Sequence, residues 1–219
     1  KKNLSAKKAK EATQLACKLA KNAIKKIKPQ QSVFIAGSVA PLEDCYSPKL
    51  TPSQKDLRKE HLEYIKNLKN GGVDFILLET MITLEEIKAA IETCKELRIP
   101  FAVSFCIDKN YKLLGGATLK KALQLVNPYK PLFVGINCIS PKIATQGLLR
   151  LKKLTKLPIS IYAQGDGEPE DNQGWQFKEN YRLESYLLEV KKWIKNGAKI
   201  VGGCCGTTPE YIQSIKDII

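Results

Sequence analysis

The sequence predicts an α/β protein built on a parallel sheet, of the (β/α)8 TIM-barrel type, and three observations lead there. Six short apolar runs alternate with segments of helical period, and strands buried on both faces by covering helices read as continuous runs of this kind. Chemically distinctive residues end several different runs, namely Gly37-Ser38, Glu79-Thr80, Asn137-Cys138 and Cys204-Cys205, which is how a barrel assembles a site at the C-terminal face of its sheet. No G-x-G-x-x-G or G-x-x-x-x-G-K-[ST] follows a run, so the usual nucleotide-binding grounds for an open doubly wound sheet are missing.

Taken in order, residues 5–27 place Ala16, Leu19, Ala20, Ala23, Ile24 and Ile27 on one helical stripe that stops before Pro29, and Val33-Phe34-Ile35-Ala36 follows as a buried strand. Leu57, His61, Tyr64, Ile65 and Leu68 predict a helix ended by Gly71-Gly72, with Phe75-Ile76-Leu77-Leu78 as the next strand. Thr83 and Glu86 form a capping-box pattern ahead of Ile87, Ala90, Ile91, Cys94 and Leu97. Strand Phe101 to Phe105, a short helix through Leu119, Leu123 and Val126, and strand Leu132 to Ile136 come next. Leu148, Leu151 and Leu154 mark a helix, Ile159 to Tyr162 a strand, and Gln164 to Gly174 a polar, glycine-rich loop. Leu183, Tyr186, Leu187, Val190 and Ile194 predict a helix ending at Gly197. Lys199-Ile200-Val201 then runs into Gly202-Gly203-Cys204-Cys205-Gly206, and Thr208-Pro209 opens a last helix. Closure needs eight strands. The chain is therefore expected to be one domain, 1–219, holding strands three to eight with two β/α units upstream; a complete, open six-stranded sheet is the alternative.

Composition narrows the function. The 219 residues are 43% hydrophobic and carry a formal charge of +14, enough apolar content for a core that needs no metal or disulfide to hold it. Arginine occurs only at 58, 98, 150 and 182, the other 32 basic residues being lysine spread along the helices. Base and phosphate recognition leans on arginine, so the excess predicts a solvated surface and no nucleic-acid partner. No apolar run reaches the length of a membrane-spanning helix, and no secretion signal opens the chain. Seven cysteines without framework spacing fit a reducing, cytoplasmic location. The oligomeric state is not legible.

Cys17 and Cys94 fall at core positions of helices, whereas Cys138, Cys204 and Cys205 end strands at one rim. Glycines flanking the adjacent pair let both sulfurs turn to one point. Three thiolates suit tetrahedral Zn²⁺ with a fourth position open, the pattern of a catalytic rather than a structural site. Cu(I), ordinary buried cysteines and a vicinal redox disulfide are the other readings that spacing leaves open.

Gly135-Ile-Asn-Cys138 and Gly202-Gly-Cys-Cys-Gly-Thr-Thr-Pro-Glu210, with Gly72-Val-Asp-Phe-Ile-Leu-Leu-Glu-Thr-Met81 and Ala36-Gly-Ser-Val-Ala-Pro41, resemble the homocysteine S-methyltransferase family in order along nearly the whole chain. The resemblance implies a barrel whose zinc is carried by Cys138, Cys204 and Cys205, with Glu79 holding the ammonium of homocysteine. Two departures stand out: the family's Asp-Gly-rich first strand has no counterpart, and Gln164-Gly165 replaces an Asn-Gly. The implied reaction moves a methyl from a cationic donor, S-methylmethionine or S-adenosylmethionine, to the homocysteine thiol, giving methionine. Zinc removes the thiol proton while leaving a sulfur lone pair for attack.

Ser38 and Asn137 are the further substrate-side candidates, Ser38 for the carboxylate, with a capping or loop hydrogen bond as its plain alternative. Tyr162 and Trp175 are donor-side candidates because cations favour aromatic faces, packing being equally open; Trp193 and His61 read as packing, and Cys45 and Cys106 fall outside the zinc set. The rivals are the homocysteine-binding part of a cobalamin-dependent methionine synthase, a betaine-dependent enzyme, and a non-enzymatic zinc-binding or redox-sensing protein.

Overall fold

Every predicted helix forms, each for a local reason. In the computed structural model, which describes residues 5–165, 167–170, 174–177 and 183–219, α1 spans Ala6–Ile27, capped by the Ser5 hydroxyl accepting from Lys8 N–H at 3.4 Å. Helix α2, Gln54–Gly71, is capped likewise by Ser53 and ends at Gly72, whose φ of 72° is the left-handed conformation a helix stop needs. Leu84–Glu96 forms α3, Leu119–Val126 α4, Pro141–Leu154 α5, Leu183–Lys195 α6 and Pro209–Lys216 α7.

Between them lie β1 Ala36–Val39, β2 Phe75–Met81, β3 Phe101–Phe105, β4 Val134–Asn137, β5 Ile159–Ala163 and β8 Ile200–Gly203, all parallel, in the order β1-β2-β3-β4-β5-β8. The stretch expected as a loop, Gln164 to Gly174, contributes β6 Gly167–Glu170, which pairs antiparallel with β7 Gly174–Phe177 at and just beyond its end.

The sheet curls. Cys138 and Cys205 leave the ends of β4 and β8, strands two apart and thus about 10 Å apart on a flat sheet, yet their sulfurs stand 3.4 Å from each other, and the charge of Glu79 on β2 is felt at the Tyr162 phenol on β5. These side chains face the hollow of an arc. Alternation puts Val103, Phe105, Val134, Ile136, Ile159 and Ile161 on the other face, in the main core under the helices. The hollow receives smaller and more polar groups: Ser104, Gly135 and Ser160 are register partners across three strands. A Cβ on Gly135 would lie 1.9 Å from the Ser160 hydroxyl, which accounts for that glycine. Among the described residues the parallel sheet has six strands and stays open between β1 and β8, a partial barrel rather than a closed one.

Three local expectations need correction. Strand β1 begins at Ala36, and Val33 and Phe34 are 50% and 70% exposed; an edge strand pairs on one side only, so the apolar run did not mark a buried strand. The predicted stripe of α1 is largely outside, with Leu19 60% and Ile27 73% exposed, while Cys17 is its buried residue. That thiol fits against Gly71 of α2, where a Cβ would come within 2.5 Å of its sulfur. The capping box at Thr83 does not close: Glu86 is buried and turns instead to Leu42 N–H at 2.8 Å and His61 Nε2 at 3.1 Å. His61 packs there, as expected for it. Trp193 is also buried, its indole donating to Thr145 Oγ1 at 2.7 Å.

Candidate functional site

Two kinks in the sheet build the site. Leu78 pairs with Val103 but Met81 with Phe105, so β2 carries one extra residue at Glu79-Thr80, a bulge of the sort that re-aims a side chain. Thr80 takes φ 57° there, costly for a β-branched residue. Asn137 at the end of β4 holds it: its Oδ1 accepts from Thr80 N–H at 2.9 Å and its Nδ2 donates to Thr80 Oγ1 at 2.8 Å. Asn137, expected on the substrate side, is fully buried and its amide is occupied with this bracing. Asn137→Ala is expected to leave Thr80 N–H unpaired and lower stability by about 1–3 kcal/mol, measured by urea unfolding; an unchanged midpoint would remove the bracing role.

Cys138 is the second kink, at φ 55°, immediately after β4. Cys204 and Cys205 follow β8, where the chain leaves the sheet: Cys204 N–H donates to Ala163 O at 2.9 Å, and Gly206 at φ 72° completes the turn. Of the three glycines flanking the pair, only Gly206 uses a left-handed conformation; Gly203 instead gives room to Thr207, which donates to Cys204 O at 2.7 Å. The three sulfurs converge, all lying within 4.8 Å of one another, with Cys138 and Cys205 at 3.4 Å. Among the described residues this is the one such group of potential metal ligands.

The donor set fits a thiophilic ion. Sulfurs on a tetrahedral Zn²⁺ at about 2.3 Å stand about 3.8 Å apart, within the observed spread. The three thiols also share protons unequally. Hydrogen bonds from Cys138 and Cys204 pull the Cys205 thiol down to about 3. The Cys204 thiol is pushed far up by Cys138, Cys205 and burial. At Cys138 the contact with Cys204 lowers the thiol, but Cys205 and burial outweigh it. The trio titrates as a set, and a cation arriving there displaces the protons it still holds.

Around the trio stand the remaining candidates. Glu79 is half-buried and accepts a hydrogen bond from Ser38 Oγ; among the described residues no lysine or arginine pairs with it. Ser104 Oγ, Ser160 Oγ and the Tyr162 hydroxyl are buried and, among the described residues, make no hydrogen bond of standard geometry. Burial, then the Glu79 charge, hold the Tyr162 phenol well above the usual tyrosine range. Trp175 lies against the cysteine turn: a Cβ on Gly206 would meet its Nε1 at 2.1 Å.

Cys106 and Cys45 stay outside the trio but near it. Burial pushes Cys45 up to about 11, with Cys138 adding to the effect, and Cys106 Sγ faces Cys138 O at 3.8 Å. Tyr46, which sequence reasoning missed, places its hydroxyl 3.1 Å from Cys138 Sγ and 3.1 Å from Cys138 O. Its position beside Cys45 in the loop after Ser38 was the only available signal.

The family model described as homocysteine S-methyltransferase matches residues 1–219. Homocysteine S-methyltransferase 2 of Arabidopsis thaliana is 29% identical over 163 residues, 73% of this chain and 49% of that protein. The selenocysteine methyltransferase of Astragalus bisulcatus is 30% identical over 207 residues, 89% of this chain and 61% of that protein. The chain thus spans about half to three-fifths of the length of these relatives. The metallated form of the homocysteine methyltransferase MmuM from Escherichia coli superposes with a TM-score of 0.84 at 25% identity, covering 100% of this chain and 74% of that one. Among the described residues no helix is long and apolar enough to cross a membrane.

Proposed function

The chain belongs to the homocysteine S-methyltransferase family, and from that premise we propose that it transfers a methyl group from a sulfonium donor to the thiol of homocysteine, with Cys138, Cys204 and Cys205 holding Zn²⁺. The observation that carries the reading is the convergence of three thiols beside a half-buried carboxylate that, among the described residues, has no cation paired with it. A bound zinc would supply Lewis acidity, letting a thiol ionise at neutral pH while its sulfur keeps a lone pair.

The chain's own residues orient the reaction. Glu79, steadied by Ser38, receives the ammonium of homocysteine as a charge-assisted hydrogen bond. The buried hydroxyls of Ser104, Ser160 and Tyr162, which among the described residues make no hydrogen bond of standard geometry, offer polar contacts to the rest of the amino-acid head, and leaving them dry would be costly. Trp175, packed on Gly206, presents an aromatic surface for the donor cation. The acceptor sulfur forms the new S–CH₃ bond as the donor C–S⁺ bond breaks; the bonding pair leaves with the donor sulfur, so thiolate and sulfonium become two neutral sulfides. Asn137 and Thr80 act at one remove, by fixing the bulge that aims Glu79.

The test is to load the protein with zinc, supply homocysteine with S-methylmethionine, S-adenosylmethionine or betaine in turn, and measure methionine. Turnover with a sulfonium is the expected result. Turnover with betaine alone would transfer the assignment to an ammonium donor, and silence with all three would favour a non-catalytic zinc protein.

A further inference from the structure

The rim loop after β1 is built with more care than a connection requires. Leu42 N–H is held at 2.8 Å by the carboxyl of Glu86, buried with His61, and a buried carboxyl keeps its acceptors on the few partners within reach. Two residues on, Asp44 folds the loop back: its Oδ1 accepts from Tyr46 N–H at 2.9 Å, its Oδ2 from Ser47 Oγ at 2.5 Å, and its carbonyl from Ser47 N–H at 3.0 Å. The product of both devices is the placement of one phenol, whose hydroxyl reaches Cys138.

We propose that Tyr46 is a positioning residue of the metal centre, its hydroxyl donating to the Cys138 sulfur and fixing the direction in which that sulfur presents its lone pairs. The proposal rests on the reading that the cysteine trio holds zinc. Two acceptors lie within reach of the hydroxyl, the sulfur and the Cys138 carbonyl, each at 3.1 Å. When the sulfur is a thiolate it is the charged and therefore stronger acceptor. The carbonyl still faces the Cys106 thiol at 3.8 Å, so each acceptor of Cys138 has its own neighbour. Cys138 needs such support, because its φ of 55° is a conformation the surrounding structure has to impose. Hydrogen bonds from outer residues orient metal ligands and tune them; here the partner comes from a loop remote in sequence, anchored by Asp44 and Glu86.

The experiment replaces zinc with Co²⁺ and reads the thiolate-to-cobalt charge-transfer band, alongside the rate at which the zinc form yields its metal to a chelator. Tyr46→Phe keeps the ring and removes the donor, so the sulfur lone pair rises in energy. The band is expected to move to longer wavelength and zinc release to quicken by about tenfold, the lower end of the cost of losing an outer-shell partner. Asp44→Ala, which touches no sulfur, is expected to shift the band the same way by releasing the turn, and it decides the matter if Tyr46→Phe does not fold. A spectrum superimposable on the wild type, with unchanged release, would overturn the role of Tyr46. Failure of the wild-type protein to take up either metal would instead overturn the metal reading beneath it.

Discussion

Cys204→Ser is expected to strip the protein of zinc and of methyl transfer together. The wild type should hold one zinc per chain. Serine keeps the shape of the turn, since the bonds that set it involve the Cys204 backbone N–H and carbonyl. It replaces a thiolate, however, with a hydroxyl that stays protonated, leaving two sulfurs where three converged within 4.8 Å. Loss of a direct ligand should exceed the hundredfold upper end of what an outer partner is worth, so affinity is expected to fall by more than about a hundredfold, read by competition with a chelator. Acidification of the wild type should act in the same direction. The Cys138 and Cys204 thiols are raised, so protons compete with the metal more strongly as pH falls, and zinc binding must release them. Undiminished zinc content in the serine variant would refute the ligand set.

How far the sequence disclosed this site depended on whether each feature is set by neighbours in the chain or across the fold. The strands β2 to β5 were legible because a strand covered on both faces leaves a continuous apolar run. The approach to β1 was not: Val33 and Phe34 are apolar yet exposed, and hydrophobicity alone does not tell an edge approach from a buried strand. Glu86 satisfied a local pattern, but its carboxylate answered partners 44 and 25 residues away, Leu42 and His61. The cysteine trio was legible through its motif, as was Glu79. Asn137 was legible as a residue of interest but not in its task, because the strained Thr80 that it braces becomes visible only when the bulge in β2 is seen. Tyr46 lies 92 residues from Cys138, and no spacing rule connects them.

Glu79→Gln is the second large effect expected, and it separates recognition of the amino acid from assembly of the metal site. Glutamine preserves volume and can still accept from Ser38, so the concave face should remain intact. What disappears is the negative charge, which among the described residues has no cation of its own. A hydrogen bond to a charged group is worth about 1.5–3 kcal/mol, so kcat/KM for homocysteine is expected to fall by roughly one to two powers of ten. The ammonium is bound equally before and during transfer, and the loss should therefore appear mainly in KM. Zinc content should be unchanged, since Glu79 touches the trio only through its field on Cys205. A thiol lacking the amino group supplies the decisive control: wild type and variant should use it alike, because neither has an ammonium to hold. If the variant retains the wild-type KM for homocysteine, the carboxylate serves the fold alone, and the ammonium must be held elsewhere.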